Sequence, residues 1–143
     1  MSEVNFKYAV SGDILENYIK GIYKPRTVWE RVFLHLKSKG IDVYSPGQHK
    51  GKCTSSYTVI KNTGTVGFEG SNQIGSQTLD VIVYCPRSNY SDIEPYTVQI
   101  QNFLSGLKGY IRSTGNITPV ILDDSVNGYT QSIEYQTFQR LRR

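Results

Sequence analysis

Leu79-Asp80-Val81-Ile82-Val83-Tyr84-Cys85-Pro86 is the stretch on which the fold turns. It is apolar on both sides of its alternation except at Asp80 and is closed by Pro86, so it reads as an interior strand covered on both faces. The period then changes. Ile93, Tyr96, Ile100, Phe103, Leu104, Leu107 and Ile111 recur at helical spacing, a stripe that a strand could not hold on one face. The pattern predicts a long helix over 93–111, with Asp92 as N-cap and Pro95 in the first turn, laid across a sheet that contains the 79–85 strand. Phe103 should then be core, and its truncation to Ala should cost about 3 to 5 kcal/mol.

Upstream, Thr27 and Glu30 have capping-box spacing just after Pro25. Trp29, Val32, Phe33 and Leu36 share a face and Gly40 marks the stop, which predicts a helix over 28–39. A shorter opening helix starts at Asp13. Ile41, Val43 and Tyr44 form a brief extended piece. Tyr57-Thr58-Val59-Ile60-Lys61 alternates, and the turn Asn62-Thr63-Gly64 predicts a hairpin returning through Thr65-Val66-Gly67-Phe68. Downstream, strands are expected at 120–122 and 130–138, joined by a hairpin with Asn127-Gly128. Helices and strands do not alternate as a doubly wound sheet requires. The expected class is α+β, a mainly antiparallel sheet with one long and one or two shorter helices packed on it. The 143 residues make one domain, with 1–26 as an N-terminal extension and 27–143 as the core.

Apolar residues at 38% and charged residues at 20% exclude both a disordered chain and a membrane-spanning one. No signal peptide is read at the start, which places folding in a cytoplasm. Cys53 and Cys85 have neither metal nor redox spacing and read as free thiols. The net charge of +4 is uneven: residues 20–52 hold eight Lys or Arg against Glu30 and Asp42 alone. Such a skew can suit polyanion contact, but on composition alone a solvated face is the favoured reading. Eleven tyrosines, each with an apolar body and a polar tip, favour protein interfaces.

Catalytic and cofactor chemistry finds no support. Asp123-Asp124-Ser125-Val126-Asn127-Gly128 with Glu134 imitates the ligand spacing of a calcium loop, but strands flank it where an EF-hand needs helices. His35 falls about opposite Phe33 and reads as a solvated histidine. His49 has no nucleophile in its pattern, and a hydrolase built on Asp123, Asp124 and His49 has no spacing behind it. Lys50 and Lys52 beside Cys53 would lower a thiol pKa without making it a catalyst. No cofactor, no metal and no enzyme activity is expected.

What remains is two long polar loops. Gln48, His49, Lys50 and Lys52 stand in the first, 46–56, and Glu69, Asn72, Gln73 and Gln77 in the second, 69–77. Both suit contact with partners, and Lys50 and Lys52 are the candidates for sequence-blind contact with phosphate.

The order of pieces resembles the tail terminator (tail completion) proteins of long-tailed phages and prophages. The likeness is carried by the helix ending at Gly40, Ile41-Asp42-Val43-Tyr44-Ser45-Pro46, the Tyr57 to Lys61 strand and Leu79 to Pro86. The long helix, Thr118-Pro119-Val120-Ile121-Leu122-Asp123-Asp124 and Ser132-Ile133-Glu134-Tyr135-Gln136 complete it. It covers most of the chain from Thr27 onward and rests on arrangement, since the family has no catalytic signature; residues 1–26 have no counterpart in it. The resemblance implies a structural virion protein at the tail–neck junction, assembled in the bacterial host cytoplasm. Its copies would form a ring, commonly hexameric, that caps the tail tube and offers a docking surface to the head connector. The 46–56 and 69–77 loops would be its interfaces, Lys50 and Lys52 would face passing DNA, and no membrane is involved. Another head-tail joining or stopper protein, and a small basic nucleic-acid-binding module, are the rival readings.

Overall fold

The structure, a computed structural model, describes residues 12–67 and 74–140. Glu69, Asn72 and Gln73 lie outside the described residues. The order is α1 (Gly12–Ile19), α2 (Val28–Ser38), β1 (Val43–Tyr44), β2 (Tyr57–Gly67), β3 (Ile74–Pro86), α3 (Ile93–Leu104), β4 (Arg112–Ile117), β5 (Ile121–Asp123) and β6 (Gly128–Arg140). Six strands make one mixed sheet in the order β1-β2-β3-β6-β4, with β5 also on β6. Among the described residues, only the β1–β2 pair is parallel. The α+β class and the mainly antiparallel sheet agree with the sequence reading.

Alternation sorts the strand residues by face. Ile60, Leu79, Val81, Val83, Cys85 and Ile133 point into the main core with Val32, Phe33 and Leu36 of α2 and Ile93, Ile100 and Leu104 of α3. Burying an aliphatic side chain of this size stabilises by about 1.5 to 3 kcal/mol, so this one face dominates the stability. The two helices meet where His35 Nε2 donates to the Phe103 carbonyl at 2.8 Å. His35 is therefore half-buried between α2 and α3, and not the solvated residue its position opposite Phe33 suggested. Burial first, and Lys39 to a smaller degree, lower its pKa against the opposing effect of the Phe103 bond.

α2 begins as expected, with Glu30 N–H donating to Thr27 Oγ1 at 3.1 Å. The Glu30 carboxylate does not return to Thr27, however. It accepts from Arg26 N–H at 2.9 Å, Arg26 Nη2 at 2.9 Å and Tyr23 Oη at 2.6 Å, which ties the preceding segment to the helix. Burial alone would raise the Glu30 pKa; the bonds from Arg26 and Tyr23 outweigh it and hold the carboxyl below its usual range. The helix stops at Gly40, whose φ of +82° lets Gly40 N–H reach Lys37 O and Ile41 N–H reach Leu36 O. From the same helix, Trp29 Nε1 donates to the Ile60 carbonyl at 2.7 Å, fixing α2 to β2.

Five expectations are corrected. Residues 57–67 do not form a hairpin: β2 continues to Gly67, and Asn62-Thr63-Gly64 is a β-bulge opposite β3, while Phe68 lies outside the described residues. The ladder continues on both sides of the bulge, where Thr63 Oγ1 also bonds Thr78 Oγ1 and Gln77 Nε2 donates to Asn62 Oδ1 at 2.9 Å. β3 is central, yet it is buried on one face only; Asp80, Ile82 and Tyr84 on the other are half-buried. The long helix ends at Leu104 and passes into a 3-10 turn, so Ile111 reaches the core from outside it. Phe103 is only partly buried, which lowers the expected cost of truncating it. Asp92 also makes no cap bond, and accepts instead from Asn89 Nδ2 at 3.0 Å. β4 had no forecast, since Arg-Ser-Thr-Gly-Asn-Ile carries no apolar alternation.

Candidate functional site

The second face of the sheet brings several of the residues singled out in the sequence onto one surface. Cross-strand register arranges it in rows: Tyr57 beside Tyr84 beside Thr130, then Val59, Ile82 and Ser132, then Lys61, Asp80 and Glu134. The first row is covered. Residues 45–56 fold back over it, so that Tyr44, Cys53 and Tyr57 form a second small core against Val59, Tyr84 and Val126. His49 stacks on Tyr57 with centroids 3.8 Å apart, and Tyr57 stacks on Tyr84 at 4.6 Å. Tyr44 meets both His49 and Tyr57 edge-on. Offset and edge-to-face ring contacts of this kind add roughly 0.5 to 1.5 kcal/mol each beyond area burial.

The expected open loop is thus anchored. Cys53 N–H donates to Val126 O at 2.7 Å, Cys53 Sγ to Ser55 O at 3.3 Å, and Ser56 Oγ lies 3.2 Å from Cys85 Sγ. Cys53 and Cys85 are free and buried. The thiol reading of Cys53 is reversed: burial pushes its pKa up to about 11, with Cys85 adding a smaller part, in place of the lowering that Lys50 and Lys52 suggested. The nearby 123–128 turn joins two strands, and Asp123 Oδ1 accepts from Ser125 N at 3.0 Å and Ser125 Oγ at 2.6 Å.

Gln48, His49, Lys50 and Lys52 do come together. With Asp42, Tyr44, Thr54 and Ser55 they line an open hollow of about 400 Å3. Lys50 and Lys52 are exposed on it. Gln77, the one described candidate residue of the second expected loop, is part of β3 and bonded to Asn62. Its assignment to a loop is corrected, because the strand begins at Ile74.

A second hollow of about 380 Å3 lies at the other end of the same face, between Asp80, Gly115, Asn116, Ile117, Thr118, Ser132 and Glu134. Glu134 Oε1 accepts from Thr114 Oγ1 at 2.8 Å and Asn116 Nδ2 at 2.9 Å. Burial, and then Glu134 directly across the ladder, raise the Asp80 pKa against the pull of Lys61. Sequence reading singled out Asp80 as the polar break in an apolar strand, but the β4 residues that complete this hollow gave no signal. The margin beside it displays Ile117, Ile121 and Leu122 at 45%, 59% and 38% exposure.

Among the described residues, no group of three or more His, Cys, Asp or Glu is arranged to hold a metal ion. No described helix is long and apolar enough to cross a membrane. No protein-family model matches the sequence, and no curated protein matches it significantly.

Proposed function

We propose that this protein is a structural assembly protein of the phage tail-terminator type, whose copies form a ring that caps a tube of another protein and presents a docking surface to a head connector. The observation that carries the assembly part is the apolar margin of the sheet, where Ile117, Ile121 and Leu122 stand exposed on short edge strands. Exposed edge strands with large aliphatic side chains are pairing surfaces unless something covers them. The tail-terminator part rests on the order of elements from Thr27 onward. A hexameric ring is the expected form, closed by one repeated head-to-tail contact. Lys50 and Lys52 on the hollow suit weak phosphate attraction to DNA in the lumen, which salt weakens.

Negative-stain images of the protein mixed with its neighbouring tail-tube protein test this reading. Rings, or caps at one end of tubes of limited length, are expected. A variant lacking 69–73, a deletion that spares β3, should lose capping if that segment touches the tube. Tubes of unlimited length with no bound partner would overturn termination and favour another neck component.

The basic hollow supports a second reading, a small nucleic-acid-binding module. It predicts that the monomer binds DNA with affinity falling steeply as salt rises. A ring-forming protein whose monomer shows no such binding removes that alternative.

A further inference from the structure

The end of α1 holds an isoleucine in place without giving it a seat. Gly21 N–H donates to Tyr18 O at 3.0 Å and Ile22 N–H to Asn17 O at 2.8 Å, with Gly21 at a φ of +78°. In a helix stop of this kind the residue after the glycine ordinarily packs on an apolar side chain one turn back. Here those positions are Glu16 and Asn17, and Ile22 is left 71% exposed beside Ile19 at 62%. The segment is fixed all the same, because the next residue, Tyr23, donates its hydroxyl to Glu30 Oε1 at 2.6 Å. A rigidly presented, uncovered aliphatic pair is what a docking knob requires.

The apolar margin of the sheet, Ile117, Ile121 and Leu122, is its counterpart in charge. Residues 113–139 contain no Lys or Arg and carry Asp123, Asp124 and Glu134. Asp123 is engaged by Ser125, whereas Asp124, two residues from Leu122, is exposed. Around the knob the sign is reversed: residues 17–26 contain no Asp or Glu and carry Lys20, Lys24 and Arg26. Lys20 pairs with Glu16 and Arg26 with Glu30, while Lys24 is exposed and has no ion pair among the described residues. One chain thus displays two aliphatic patches rimmed by opposite charge, and such complementarity favours contact between unlike patches over contact between like ones.

The two patches do not meet within one copy. Tyr18 of α1 lies within electrostatic range of Arg31 and Tyr110, and the Arg31 guanidinium is 3.9 Å from the Tyr110 ring centroid. Arg112, two residues after Tyr110, pairs with Gln136 of β6, whereas Ile121 pairs with Thr130. Six residues of one strand separate these positions, about 20 Å at roughly 3.4 Å per residue. A contact between two different surfaces repeats head to tail and closes into a ring when the rotation permits.

We propose that Ile19 and Ile22 of one copy dock on the Ile117, Ile121 and Leu122 margin of the next, with Lys24 facing Asp124. The inference rests on the ring reading above and supplies the contact that would build it.

Two measurements on the full chain test it. In the first, self-association is followed by analytical ultracentrifugation, with tube protein added where the chain alone stays monomeric. Ile22→Asp should weaken it by about a hundredfold, and Lys24→Glu or Asp124→Lys alone by about tenfold, with the thermal transition unmoved. Lys24→Glu combined with Asp124→Lys should restore it, since the swapped charges again face their opposites. In the second, copies carrying Ile22→Cys are mixed with copies carrying Ile121→Cys under mild oxidation, with Ile22→Cys and Val98→Cys, another exposed position, as the control pair. A disulfide-linked dimer of one copy of each kind is expected only in the first mixture, since the native thiols are buried. Wild-type rings without the charge-swap rescue, or without the selective cross-link, overturn this contact and leave the ring reading standing. A wild-type protein that stays monomeric even with tube protein present overturns both.

Discussion

The two faces of one sheet divide the labour of this molecule. On one, Leu79, Val81 and Val83 are almost fully excluded from solvent under α2 and α3. On the other, the intervening Asp80, Ile82 and Tyr84 are half-buried, roofed at one end by residues 45–56 and open at the other. Neighbouring residues of one strand therefore serve different ends, the odd positions holding the fold together and the even ones shaping what it displays. A strand that is apolar throughout need not be a strand covered throughout.

The largest effect that would break this contrast is in the core. Leu79→Ala should cost about 2 to 5 kcal/mol in denaturant unfolding, and Ile82→Ala distinctly less, because its site is already partly open and can relax. Equal losses would mean that both faces are core. Next comes Gly128, where the faces meet. A methyl group there would stand 2.8 Å from the Cys85 carbonyl and 2.9 Å from Cys53 Cβ. Gly128→Ala should cost about 1 to 3 kcal/mol and open Cys53 to thiol reagents that the wild type resists.

A smaller, pH-dependent effect belongs to the helix-covered face. Burial lowers the His35 pKa below 6.5, so in the window beneath 6.5 the unfolded chain binds this proton more readily than the folded one. His35's share of stability is complete above that window and is lost as pH falls through it, and His35→Gln should flatten that part of the profile. Asp80 on the other face acts in the opposite sense at lower pH, since its raised pKa makes protonation favour the folded state. The smallest effect is expected from Lys50→Ala with Lys52→Ala: stability should change by less than about 0.5 kcal/mol, while any DNA binding should lose salt dependence.

Much of the core was legible because helical and two-residue periods are written in side-chain polarity. Trp29, Val32, Phe33 and Leu36 marked α2 almost to its ends, and Leu79 through Cys85 marked β3. Other elements left fainter marks. Asn62-Thr63-Gly64 has the composition of a turn, and only pairing with β3 turns it into a bulge. β4 pairs with β6 and is tied to it further by bonds from Thr114 and Asn116 to Glu134, contacts between residues far apart in sequence. Half of the candidate site was readable: Gln48, His49, Lys50 and Lys52 are close in sequence and line one hollow. That His49 lies on Tyr57, and that Cys53 is sealed beneath the same segment, depends on a chain reversal which no local pattern encodes.

The bond from Trp29 to the Ile60 carbonyl also has a practical side. The chain has one tryptophan, and its indole sits where α2 meets β2. Its emission is therefore a built-in optical gauge: separation of α2 from the sheet would change the polarity around a lone fluorophore, and loosening of that junction could be followed in real time without attaching a dye.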